Sequence, residues 1–216
     1  MSLEDEKRLV GEAAAQLVTP GMRVGLGTGT TVHYLLIALA RLAPQAVFFA
    51  TSPETEAAAL ALGLNVEPFD TVSELDLAID GADQIAPDWW LVKGRGGAHT
   101  REKIVAASAE RFVVIADSSK PVDHLHAPVP LELEAFGIEA TLARVAPAAL
   151  RDAPPSPDGG LIGDYLGEVT NPRALAERLS LTPGVVGHGL FPPEMVSDVL
   201  VGAGKTVVSP VPRGGR

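Results

Sequence analysis

Residues 75–103 read LDLAIDGADQIAPDWWLVKGRGGAHTREK. The apolar run from Leu75 to Ile79 has the length of a buried strand, and it ends in Asp80 and Gly81, the start of a tight turn. Ala82 follows, then a second carboxylate, Asp83. Further along come Lys93, Gly94, Arg95, Gly96 and Gly97, a loop whose backbone amides have few bulky neighbours and therefore suit an anion. A helical pattern then begins, with Glu102 in its first turns and Ile104, Val105 and Phe112 available to a core. Each piece alone has a bland explanation. Asp-Gly is a common turn, a lysine beside glycines is commonly solvated, and the helix dipole favours an early glutamate by about 0.3–1 kcal/mol. Three acids and a base gathered at loop junctions, beside glycines that no core requires, make the stretch a candidate functional site.

Working outward, strands are expected at 23–26, 47–50, 75–79 and 112–116, with helices between them. Each strand releases polar residues at its carboxyl end: Gly27-Thr28-Gly29-Thr30-Thr31, Thr51-Ser52-Pro53-Glu54-Thr55, the aspartates, and Asp117-Ser118-Ser119-Lys120. That alternation predicts an α/β fold, a Rossmann-like parallel sheet flanked by helices with its ligands at one edge. The glycines at 25, 27 and 29 imitate a dinucleotide fingerprint, but Thr30 stands where the third glycine belongs. The second strand also ends in hydroxyls rather than the lone acid that would hold a ribose, so a nicotinamide cofactor is disfavoured.

A polar helix over 3–18 precedes the sheet, Glu54 to Leu62 reads as a helix, and Leu64 to Phe69 as extended. From about Ala127 prolines multiply, and helices at 137–150 and 172–179 alternate with strands at 160–165 and 185–190. This predicts a smaller inserted α+β lobe over 128–199, acting as a lid or in oligomerisation. The catalytic domain then comprises 1–127 plus 200–216, because 199–202 and 206–208 suit a return to the main sheet. The tail PVPRGGR reads as frayed.

The 216 residues carry a formal charge of −10, with a pI near 4.9 and 46% apolar residues. That is ample for a core, and its sign opposes binding to nucleic acid or an anionic membrane. An anionic small molecule needs a local positive pocket, and Lys7, Lys93, Arg95, Arg101, Lys103 and Lys120 are among only 17 basic residues. Without cysteine there is no disulfide, thiolate nucleophile or cysteine-held metal. The pair His124 and His126 reads as exposed rather than metal-binding. The start, MSLEDEKR, is charged rather than signal-like, and no apolar run reaches the roughly 18–20 residues of a membrane span, so a cytoplasmic protein is expected. Apolar strands in the small lobe suggest a homodimer or homotetramer.

Five motifs in order, GLGTGTT, DGAD, KGRGG followed by TREKI, DSSK and PGVVGHGLF, resemble those of the type A ribose-5-phosphate isomerases, and the likeness covers nearly the whole chain. The resemblance implies interconversion of ribose 5-phosphate and ribulose 5-phosphate through an enediol, with no metal and no cofactor. It implies Glu102 as the base that moves a proton between C2 and C1, with Asp80, Asp83 and Lys93 handling the oxygens. Thr28, Gly29, Thr30, Thr31, Gly81, Ala82, Gly94, Arg95, Gly96 and Lys120 match substrate-binding positions, with Lys7 as a further phosphate contact. The chain departs from the pattern at Gln84, where the family usually has glutamate, and at Arg95, where glycine is frequent; Arg95 either reaches the phosphate or points to solvent. His99 reads as structural. Two alternatives are a non-catalytic phosphosugar-sensing domain and an acyl-CoA transferase-like enzyme with a glutamate nucleophile. The first usually carries a DNA-binding helical module and the second a long CoA-binding extension, neither of which is seen in this sequence.

Overall fold

The computed structural model describes residues 2–209, apart from the side chain of Thr71; the tail discussed above lies outside them. The chain runs α1 (Leu3–Ala15), β1 (Arg23–Leu26), α2 (Thr30–Leu42), β2 (Val47–Ala50), α3 (Pro53–Ala61), β3 (Leu75–Gly81), β4 (Gln84–Ile85), β5 (Leu91–Val92), α4 (His99–Ala107) and β6 (Ala109–Asp117). It continues through β7 (Val129–Leu133), α5 (Ile138–Val145), β8 (Ala148–Leu150), β9 (Leu161–Tyr165), α6 (Pro172–Ser180), β10 (Val185–His188), β11 (Leu190–Phe191), β12 (Asp198–Ala203) and β13 (Thr206–Val208). These elements form two units, one of residues 2–82, 101–120 and 194–209, the other of residues 83–100 and 121–193.

The first unit is built on a six-stranded sheet in the order β13-β12-β6-β3-β1-β2. Five strands are parallel, and β13 turns back antiparallel on β12. Strand β1 lies between β2 and β3, so the chain leaves it to one side and later returns on the other. That reversal opens a crevice at the carboxyl ends of β1 and β3. On one face, Val24 and Leu26 of β1, Leu77 and Ile79 of β3, and Val113 and Ile115 of β6 pack with Val10 and Ala14 of α1 and Leu35 and Leu39 of α2. The other face receives α4. A Cβ on Gly25 would stand 2.3 Å from Val105 Cγ1 and 3.3 Å from Ala78 Cβ, so the missing side chain lets the helix approach the sheet.

The second unit has a four-stranded antiparallel sheet, β10-β7-β9-β8, and a three-stranded one, β11-β5-β4. Val129, Leu131 and Leu133 of β7 point into a core with Val145 of α5 and Leu175 and Leu179 of α6. Alternation sends Glu132 to the opposite face, where the residues following β5 lie: Gly97 meets Ile162, and a Cβ on Gly187 would fall 2.3 Å from Thr100 Oγ1.

The sheet of the first unit follows the sequence closely. Strands β1 and β2 fall on their expected residues, and β12 and β13 do return to it. Strand β3 runs two residues beyond Ile79 because its pairing with β6 persists to Gly81 opposite Ile115, so Asp80 sits in the strand rather than in a turn. Of residues 64–69, Val66 makes a single bridge to Phe48, and Phe69 begins a short 3-10 helix. The helix expected over 137–150 stops at Val145, since Pro147 has no N–H to continue it, and β8 follows. The strand expected at 185–190 divides at Gly189, whose N–H donates to the Pro130 carbonyl while its own carbonyl accepts from Lys93 N, both at 2.8 Å. A Cβ there would lie 2.1 Å from the Lys93 oxygen, so glycine is required where the strand changes sheets.

Candidate active site

In the first unit the groups gather at the carboxyl ends of β1 and β3. Asp80 is 3% exposed, and its Oδ1 accepts from Thr28 N at 3.1 Å and Gly81 N at 2.6 Å. The carboxylate lies across β1 where a Gly27 side chain would be, with a Cβ at 27 only 1.8 Å from Asp80 Cγ and Oδ1. Gly29 has φ +122°, a conformation open in practice only to glycine, and it begins α2 without any side-chain cap. By contrast, Ser2 caps α1, Ser52 caps α3 and Asn171 caps α6. The first amides of α2, at Thr30 and Thr31, are thus left for solvent or an anion.

The hydroxyls beside this turn face inward. Thr28 Oγ1 bonds Thr51 Oγ1 at 2.9 Å, Thr51 Oγ1 donates to the Leu26 carbonyl at 3.1 Å, and Thr55 Oγ1 donates to the Gly27 carbonyl at 2.9 Å. They hold the turn's shape. Helix α4 leads back to the start of β6, so it runs counter to the strands and its first turn lies at their carboxyl ends. Glu102 is one turn before Val105, hence on the same side of the helix, and is 4% exposed. Asp80 and Gly27 continue the face on which Val105 docks, two residues beyond Ala78 and Gly25.

Lys120 follows β6 and is half-buried; its amide donates to the Asp117 carbonyl at 3.2 Å. Lys7 pairs with Glu4 at 2.7 Å, and Glu4 also accepts from Tyr34 Oη at 2.8 Å. The cation therefore already has a partner on its own helix. Burial pushes the Lys103 ammonium down to about 7.

In the second unit Asp83 N donates to the Val92 carbonyl at 2.8 Å, and Asp83 Oδ2 accepts from Arg95 N at 3.0 Å. Lys93 is 3% exposed and its Nζ stands 5.4 Å from the centre of the Phe191 ring. Gly94, at φ +103°, packs against His99; a Cβ there would be 2.6 Å from His99 Nδ1. His99 is wholly buried behind the loop. The Arg95 side chain is exposed, as is Gly96. Gln84 makes a two-sided contact with the His126 backbone, its Nε2 donating to the carbonyl at 2.8 Å and its Oε1 accepting from N at 2.9 Å. An ionised carboxylate could accept but not donate, which accounts for glutamine here.

The expected groups thus fall into two sets: Thr28 to Thr31, Asp80, Gly81, Ala82, Glu102, Lys120 and Lys7 in the first unit, and Asp83, Lys93, Gly94, Arg95 and Gly96 in the second. Two supporting residues were not legible in the sequence. Glu6 of α1 accepts from Ser118 N and Gly204 N, each at 2.9 Å; the Ser118 hydroxyl first, and then these two amides, hold its carboxyl below the usual range. It pins the turn that carries Lys120, although it reads as one more charge in a polar helix. Arg151 reaches the Arg95 carbonyl at 2.8 Å.

The fold is that of an α/β protein, and acids, lysines and loop amides stand in each of its two units. The family model of Ribose 5-phosphate isomerase A (phosphoriboisomerase A) matches residues 47–206. Ribose-5-phosphate isomerase A of Halobacterium salinarum is 46% identical over 202 residues, which span 87% of this chain and 88% of that one. Among solved structures, ribose 5-phosphate isomerase A of Methanocaldococcus jannaschii superposes with a TM-score of 0.90 at 31% identity, covering 96% of this chain and 99% of that one. A D-ribose-5-phosphate isomerase in complex with phospho-erythronic acid does so with a TM-score of 0.90 at 30% identity, covering 97% and 99%. The chain belongs to the ribose 5-phosphate isomerase A family. Among the described residues no helix is long and apolar enough to cross a membrane.

Proposed function

We propose that this chain interconverts D-ribose 5-phosphate and D-ribulose 5-phosphate by proton transfer through an enediol. The observation that carries the reading is the 46% identity to a ribose-5-phosphate isomerase A over 87% of the chain. In the open-chain aldose, Glu102 removes the C2 proton. The C–H electron pair becomes the C1–C2 double bond and the carbonyl pair moves onto O1. The same carboxyl then returns the proton to C1 as O2 loses its own and becomes the ketone. A positioned base is worth about 10²–10⁴-fold in rate, and Glu102 is only 4% exposed. Lys93 supplies positive charge to the enediolate oxygen. Asp80 and Asp83 move protons between O1 and O2. Asp80 is held in place for this task by the two amides that donate to its Oδ1.

The amides of Gly29 to Thr31 and those of Gly94 and Gly96, the turn at Gly81 and Ala82, and the charges of Lys120, Lys7 and Arg95 bind the phosphate and sugar oxygens. A related isomerase was solved with phospho-erythronic acid, a phosphorylated sugar acid whose planar carboxylate resembles a planar enediolate, and such a ligand suits the groups assigned here. The chain works in the cytoplasm as a homodimer or homotetramer. The lobe of residues 128–199 carries the oligomer contacts, where Phe136 and Leu181 are 90% and 82% exposed, and 1–127 with 200–216 carry the catalytic sheet.

Initial rates of ketose formation from ribose 5-phosphate, with unphosphorylated ribose as control, test the reading. Turnover of the phosphorylated sugar alone is expected. Binding without turnover would leave a phosphosugar-sensing domain as the better account.

A further inference from the structure

The loop from Lys93 to Gly97 contains three glycines, two of them at positive φ, Gly94 at +103° and Gly97 at +76°. Such a segment has little stiffness of its own, yet the proposed function asks it to present amides in a fixed direction. Its internal bond, from Gly97 N to the Gly94 carbonyl at 3.0 Å, orients the peptide between residues 94 and 95. In a trans peptide the N–H points away from the C=O, so this fixes the Arg95 N–H, which meets Asp83 Oδ2 at 3.0 Å. The next peptide, between residues 95 and 96, has no bond inside the loop. It is held from outside, by Arg151 Nη1 donating to the Arg95 carbonyl at 2.8 Å.

Arg151 is itself locked. Its Nε and Nη2 engage Asp164 Oδ2 and Oδ1 at 3.0 and 2.6 Å, both side chains being largely buried. Asp164 lies on β9 and Arg151 just after its partner β8, which places the guanidinium in a rigid antiparallel pair. Two nitrogens of the fork are spent on the carboxylate and the third faces the loop, an arrangement a lysine ammonium has no geometry to copy.

Resting on the isomerase reading, we infer that Arg151, held by Asp164, is a positioning residue: by gripping the Arg95 carbonyl it aims the Gly96 N–H, on the opposite side of the same peptide, at the substrate. Removing the guanidinium lets that peptide rotate, and the donor is lost even though every group that touches substrate is intact.

The test measures ribose 5-phosphate isomerisation by wild type, Arg151→Ala and Arg151→Lys, with and without millimolar guanidinium or ethylguanidinium. The double variant Arg151→Ala/Asp164→Asn leaves no unpaired carboxylate and serves if the single variant does not fold. A fall of about 10- to 100-fold in kcat/KM is expected for both single variants, the loss of one charge-assisted bond, with the guanidinium compounds restoring at least a few-fold in the alanine variant only. A folded variant within threefold of wild type, or one whose loss guanidinium does not repair, overturns the assignment. An inactive wild type would instead overturn the isomerase reading, so the two failures are distinguishable.

Discussion

Replacing Gly27 by alanine places a methyl group 1.8 Å from Asp80 Cγ and Oδ1 and 2.5 Å from its Cβ. Two of these atoms are the head of a short side chain and the third is fixed to β3, so the carboxylate has to leave. Its bonds from Thr28 N and Gly81 N go with it. Hydrogen bonds to a charged group contribute about 1.5–3 kcal/mol each, so the loss is roughly 3–6 kcal/mol, a large part of a domain's usual 5–15 kcal/mol. At about 2–4 °C per kcal/mol for a chain of this size, melting falls by at least ~6 °C. A double-mutant cycle supplies the assay. Asp80→Ala keeps the 2.5 Å Cβ contact and relieves the clash in part, whereas Asp80→Gly removes it. The cost of Gly27→Ala, read by denaturant or thermal unfolding, therefore shrinks stepwise across wild type, Asp80→Ala and Asp80→Gly, with a coupling of about 2 kcal/mol or more. An equal cost in all three backgrounds would refute the idea that Gly27 exists to seat Asp80.

Gln84→Glu sets a carboxylate oxygen against the His126 carbonyl where an amide now donates at 2.8 Å, and about 1–3 kcal/mol of stability is lost above neutral pH. The introduced carboxyl has its pKa raised in the fold, so the cost is full above that pKa and shrinks as pH falls through it; unfolding at pH 8 and pH 5 reads the difference. Lys103 gives a slope of opposite sense. Its pKa is lowered from 10.5 to about 7, so between those values the unfolded chain binds the extra proton and stability rises with pH, by at most about 1.4 kcal/mol per unit. Lys103→Met removes this contribution, and parallel unfolding curves at pH 7 and pH 9 for wild type and variant check it.

The sheet was legible because each parallel strand is a short apolar run ending in hydroxyls, glycines or charges, as a buried strand with a ligand edge must be. The glycines at 25 and 27 were visible, but their meaning was not. One admits Val105 of α4 and the other Asp80, and both partners come from more than fifty positions away. Strands β4 and β5 are two residues each and leave no periodicity to read. The partner of Gln84 is 42 residues distant, so only coordinates reveal why an amide replaces a carboxylate. Asp80, Asp83, Lys93 and Glu102 stood out in the sequence because charged side chains beside glycines are conspicuous. Glu6 and Arg151 did not, because a residue that grips a remote backbone amide or carbonyl looks like any other surface charge.

The central claim, proton transfer at C2 by Glu102, is tested most directly by proton NMR of ribose 5-phosphate with the purified chain in D₂O containing EDTA. The account predicts ribulose 5-phosphate carrying deuterium at the exchanging carbon, with both conversion and exchange lowered about 10²–10⁴-fold in Glu102→Gln while the variant stays folded. Conversion without any deuterium entering even at long times, or a Glu102→Gln variant that exchanges and converts at the wild-type rate, would contradict it.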